Sequence, residues 1–203
     1  MASTTTQTTI INRGLQILGY KSVGSINDND RGARAMLRAW DSVLADELRG
    51  HYWNFSLSRA ILQASATPPL FGKANAYPLP PGFLDLAPLD PTFGANGGGA
   101  ISGPPAIVDW QIEGSSIISD DPSPINVRFI TSNVTPAMFD PNFAEALSAK
   151  LAAACCEELT NSTAKLAACG QIYDRQIERA QQRNAFESRP VQPQLDSWIS
   201  ARF

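Results

Sequence analysis

Apolar residues recur at helical spacing at both ends of the chain and alternate with polar ones through the middle. Ile11, Leu15 and Leu18 lie three and four apart and Gly19 follows, which predicts a short amphipathic helix with a glycine stop. Asn27–Asp30 then offers an N-cap to a longer helix whose stripe is Ala33, Leu37, Trp40, Leu44 and Leu48, ended by Gly50. Trp53, Phe55 and Leu57 alternate with Asn54, Ser56 and Ser58, the pattern of a strand with one buried face. Further along, Phe83–Leu86, Ile107–Ile112, Ser116–Ile118 and Ile125–Ile130 are short apolar runs bounded by turn residues, and they predict a small antiparallel sheet.

Asp140 with Pro141 at the first helical position opens a third helix, with Phe143, Leu147, Leu151 and Cys155 on one face. Ser162 or Thr163 caps a fourth, in which Leu166, Cys169, Tyr173, Ile177 and Ala180 repeat at three and four, running to about Glu187. Pro190 and Pro193 exclude further helix, and Leu195, Trp198, Ile199 and Phe203 lie in the proline-broken segment beyond. Two readings stand for that tail: it folds back on its own helices, or it docks on another protein.

Composition sharpens the division. Eleven of fifteen prolines lie between Pro68 and Pro124, and eight of fourteen glycines between Gly72 and Gly114, so the middle holds no long helix. Residues 1–62 carry seven basic and five acidic side chains, residues 63–127 one and six, and residues 128–203 eight and eight, so the net charge of -3 arises in the middle. The expected fold is therefore α+β: a four-helix bundle formed by 1–62 and 128–187, an inserted β-rich subdomain over 63–127 with one small antiparallel sheet, and an extended C-terminal docking tail over 188–203.

Charge and residue types also exclude functions. An acidic chain lacks the clustered Lys and Arg of a protein that grips DNA phosphates over a broad face. Arg31, Arg34 and Arg38 lie off the apolar stripe of their helix, either as a solvated face or as a surface for an acidic partner. One histidine, His51, excludes zinc sites built on several imidazoles. Cys155, Cys156 and Cys169 show no CxxC spacing and read as reduced packing residues. The first residues lack the basic and apolar regions of a secretory signal, and no apolar run reaches the length of a membrane span.

No GxSxG, P-loop, HExxH or GxGxxG occurs. The adjacent acidic pairs Asp46–Glu47, Asp120–Asp121 and Glu157–Glu158 project in different directions, which suits a glycosidase poorly. Neither catalysis nor a cofactor or metal is expected.

The order of motifs resembles a known family. Trp53-Asn-Phe55, Pro69-Leu-Phe-Gly72, Tyr77-Pro-Leu-Pro80 and Phe83-Leu-Asp-Leu86 are followed by Trp110-Gln-Ile-Glu-Gly114, Val127-Arg-Phe-Ile130, Phe139-Asp-Pro-Asn-Phe143 and Asp196-Ser-Trp-Ile-Ser-Ala-Arg202. Their succession, from about Ile10 to Arg202, is similar to that of the head-to-tail adaptors of short-tailed bacteriophages, also called tail tubular protein A. Pro81-Gly82 departs from the family's usual acidic residue, and Gly94–Gly103 looks like a variable loop.

The resemblance implies a helical bundle with a β insertion and a ring of about twelve copies between portal and tail nozzle. Viral DNA would pass through without specific binding, and the protein would be assembled in the host cytoplasm and reside in the virion. It implies portal contact by Leu195, Trp198, Ile199, Arg202 and Phe203, and nozzle contact by Phe93, Asn96, Asp120 and Asp121. The alternative from another class is a tail-associated glycan or peptidoglycan hydrolase using Asp and Glu.

Overall fold

The computed structural model describes residues 5–88 and 109–187. Four helices and six strands follow in chain order: α1 (Gln7–Ile17), α2 (Arg31–Arg49), β1 (Leu57–Leu62), β2 (Asn75–Pro78), β3 (Phe83–Ala87), β4 (Trp110–Glu113), β5 (Ser116–Ser119), β6 (Ile125–Thr131), α3 (Pro141–Thr160) and α4 (Thr163–Phe186). Among the described residues no helix is long and apolar enough to cross a membrane.

Each helix starts where its sequence supplies a cap. Thr6 and Thr9 cap α1 reciprocally, Asp30 accepts from the Gly32 amide at 2.8 Å, Asp140 accepts from Asn142 at 2.8 Å, and Ser162 accepts from Lys165. These partners satisfy amides that the first turn leaves open. The apolar stripe of α2 turns slightly from its predicted line: Ala33, Met36, Trp40 and Leu48 are buried, whereas Leu37 is partly exposed. Trp53 and Phe55 are not in a strand. Trp53 precedes a short 3-10 turn over Asn54–Ser56 and Phe55 lies within it, because Trp53 closes back on α2, its Nε1 donating to the Glu47 carbonyl at 3.0 Å. Phe55, Phe139 and Phe143 meet mutually with ring centres 5.0–5.3 Å apart, and the Trp53 ring lies 4.8 Å from Phe143.

The expected four-helix bundle with one inserted sheet does not form. α3 is central, and α1, α2 and α4 each pack on it, while α1 and α2 touch only marginally. The cause lies in the residues of α3: its buried set of Phe143, Ala144, Ala146, Leu147, Ala149, Leu151, Ala152, Cys155 and Cys156 exceeds a single stripe. Small side chains let neighbours approach from several sides. At the crossing with α1, a Cβ on Gly14 would lie 2.9 Å from the Ser148 carbonyl oxygen, so only glycine permits that approach.

Two three-stranded antiparallel sheets replace the single one, in the orders β1-β6-β3 and β2-β5-β4. β1 and part of β6 come from segments assigned by pattern to the helical region. In β6, Ile125, Val127 and Phe129 point into a core shared with Leu62, Tyr77 and Ile117, whereas Ile130 points into the helical core. The first sheet is thus a wall between helices and outer sheet, and the architecture is three layers, α/β/β. Among the described residues the chain crosses between sheets over 63–74, at Pro80–Gly82, where Gly82 has φ of +74°, and at Asp120–Pro124.

Ion pairs join the helices. Lys150 of α3 reaches Asp46 and Glu47 of α2, and the Tyr173 hydroxyl of α4 donates to Glu47 Oε1 at 2.8 Å. Burial is the largest influence on the Lys150 ammonium and lowers its pKa, but hydrogen bonds to Asp46 and Glu47 outweigh it and raise the value to about 12. Burial, and then Glu47, pushes the Tyr173 phenol up to about 12. Arg38 pairs with the Glu158 carboxylate at 2.8 Å and Arg31 donates to the Glu158 carbonyl, so two of the three arginines off the α2 stripe grip the end of α3. Cationic groups are favourable at a helix C-terminus. Cys155, Cys156 and Cys169 are free and buried.

Candidate interaction surface

The most distinctive surface lies on the outer sheet, farthest from the helices. It follows from a charge asymmetry: Lys73 is the one cation of residues 63–127. Its ammonium bridges Asp109 at the start of β4 and Asp120 at the end of β5, with Nζ 2.9 Å from Asp120 Oδ2. The other Asp120 oxygen accepts from the Ala74 amide at 2.8 Å. The hydrogen bond from Lys73, followed by that amide, holds the Asp120 carboxyl below the ordinary aspartate value.

Asp121 serves the turn through main chain and side chain. Its carbonyl accepts from Tyr77 Oη at 2.6 Å and from Asn75 at 2.9 Å, and its Oδ2 lies 2.7 Å from the buried Ser119 hydroxyl. Burial first, and then Asp121, pushes the Tyr77 phenol up. Both carboxylates proposed to meet the nozzle therefore stand side by side on the β5–β6 turn, tied to strands β2 and β5. Phe93 and Asn96 lie outside the described residues, as do Leu195, Trp198, Ile199, Arg202 and Phe203 with the whole 188–203 tail.

The segment Thr67–Lys73 lies over the outward face of this sheet, on which Ile118 is 7% exposed although it points away from the inter-sheet core. Between segment and sheet lies an open groove of about 730 Å³, lined by Pro68, Phe71, Ala76, Gln111, Glu113 and Ile118. At its rim Leu70 is 98% exposed and Phe71 89%. Beside them runs β4, an edge strand whose four residues are all exposed, Gln111 and Glu113 on the face of the groove and Trp110 and Ile112 on the opposite one. An apolar apex next to an exposed strand edge is a surface suited to protein contact. The motif Pro69-Leu-Phe-Gly72 marked this place in the sequence, but nothing in its local pattern told apex from core.

Asp120 is held ionised and paired, which removes it as a proton donor at neutral pH. In the other two acidic pairs, Lys150 engages Asp46 and Glu47, and Arg38 engages Glu158. No group of three metal-ligating side chains comes together among the described residues. His51 packs edge-on against Trp53 at 4.7 Å, and burial lowers its pKa. No protein-family model matches the chain, and no curated protein matches it significantly.

Proposed function

We propose that this chain is a structural virion protein, a ring-forming adaptor that joins the portal of a short-tailed phage to its tail nozzle and forms part of the DNA conduit. The observation that carries the reading is the ordered succession of adaptor-like motifs over nearly the whole chain. Several of their described members build the two cores. Trp53, Phe139 and Phe143 build the aromatic cluster of the helical core, and Tyr77, Val127 and Phe129 build the core between the sheets. The helical region and the C-terminal tail attach to the portal, and the outer sheet with its Leu70–Phe71 apex faces the nozzle. An acidic middle segment repels passing DNA phosphates and so leaves the conduit free.

The test is attachment to portal-bearing heads. Removing Val191–Phe203 is expected to abolish attachment while the melting temperature stays within a few degrees of the parent's, because truncating a buried interface Trp commonly costs about 2 kcal/mol or more of binding. Attachment retained by the truncated chain refutes portal docking through the tail. Release of reducing ends from cell-wall or capsular glycan, abolished by Asp121→Asn, replaces the adaptor reading with the hydrolase.

A further inference from the structure

α4 is 24 residues, about 36 Å long, yet only Cys169 and Ala180 on it are fully buried. It packs chiefly on α3. At about 100° per residue, Arg175, Arg179 and Phe186 share one flank of its outward side, while Asp174, Glu178 and Ala185 share the other. All six are exposed, Phe186 at 85%. Among the described residues no intrachain ion pair engages any of the four charges.

We infer that the two flanks of α4 form a seam between copies of this chain, the basic flank of one copy meeting the acidic flank of the next. Charge complementarity selects the occupant, because both halves of the contact are present on a single helix. The register selects the arrangement. Each residue of the basic flank stands one position after its counterpart, a rise of about 1.5 Å. Two parallel α4 helices side by side therefore set Arg175 against Asp174, Arg179 against Glu178, and the Phe186 ring against the small Ala185. Parallel helices with different faces in contact make a heterologous contact, which gives a ring where the rotation between copies closes. This deepens the adaptor reading by naming where its copies meet.

Charge exchange tests the seam. Arg175→Glu with Arg179→Glu makes both flanks negative, and Asp174→Arg with Glu178→Arg makes both positive. In sedimentation velocity at low ionic strength, each double variant is expected to self-associate at least about tenfold more weakly than the parent, since like charges opposed at an interface are costly. An equimolar mixture of the two double variants, and the fourfold variant carrying both exchanges, are each expected to recover association. Added salt is expected to weaken the parent's association by screening.

Circular dichroism melts that match the parent's establish that the variants are folded. A parent that stays monomeric, a closed dimer, parent-like association of both double variants, or a folded fourfold variant that stays apart overturns the seam. Head attachment is a separate readout. A seam that passes alongside failed attachment refutes the adaptor reading alone, and attachment with a failed exchange refutes the seam alone.

Discussion

The helical layer and the outer sheet are built from the same chain but hold together differently. In the helical layer a central helix touches three others, and aromatic rings from two distant segments, Trp53–Phe55 and Phe139–Phe143, fill the space beside it. The outer sheet encloses six buried apolar residues, and four of them, Leu62 of β1 and Ile125, Val127 and Phe129 of β6, belong to the neighbouring sheet. It is stable because it leans on β6. The charged groups divide in parallel: Lys150 works beside Glu47, a carboxylate only 4% exposed, whereas Lys73 bridges two largely exposed aspartates. Layers differing this much in enclosure should open separately, the outer one more readily.

The sharpest way to break that contrast is at the aromatic cluster. Phe143→Ala is expected to cost about 3–5 kcal/mol and lower the melting temperature by about 10 °C, with near- and far-ultraviolet dichroism lost together. A small shift would show that the cluster is peripheral. Next in size is Lys150→Met, which leaves the Glu47 carboxylate buried without its cation. A cost of about 2 kcal/mol is expected, below that of a fully buried pair because the Lys150 side chain is 30% exposed.

The same pair governs alkaline stability. Lys150 has its pKa raised from 10.5 to about 12, so its stabilisation is complete below the unfolded value and is lost as pH rises through about 12. Tyr173, raised from 10.0 to about 12, acts in the same direction. Melting temperature should decline above pH 10 in the parent, and less steeply in Lys150→Met. An equal decline in both would remove Lys150 from the account.

Ile117→Val probes the other side of the comparison. About 1 kcal/mol is expected, read as roughly fivefold faster amide exchange in β2 and β5 with α3 unchanged. Equal acceleration in α3 would mean that the layers open as one. The smallest effect is expected from Lys73→Gln, which should leave the melting temperature at the parent's value while the Ala74 amide, bonded to Asp120, exchanges faster. A clear drop in melting temperature would make the outer ion cluster a structural anchor.

Helix starts were legible because a cap is a local bargain between a side chain and amides two or three residues away: Asp30, Asp140 and Ser162 all cap where the pattern placed them. The face of α3 carrying Phe143, Leu147, Leu151 and Cys155 was legible too, and all four are buried. Of the candidate site residues, Asp120 and Asp121 could be assigned to a turn, but their tethering by Lys73, Ser119 and Tyr77 could not. Those contacts join residues 44 to 47 positions apart for Lys73 and Tyr77, a separation at which local pattern is silent.

Residue order and type by themselves determined the α+β class, the capped helices, the turns and the acidity of the middle, since each depends on neighbours within a few positions or on composition. Tertiary structure decided that α3 is the centre of the helical layer, that Trp53 and Phe55 leave the strand pattern for an aromatic cluster, and that the strands divide into two sheets. Those outcomes depend on which apolar faces find each other across the whole chain, as β6 shows. There Ile125, Val127 and Phe129 pack toward Tyr77 and Ile117 on one face, while on the other Ile130 alone is buried, against the helices, and Asn126 and Arg128 stay partly exposed.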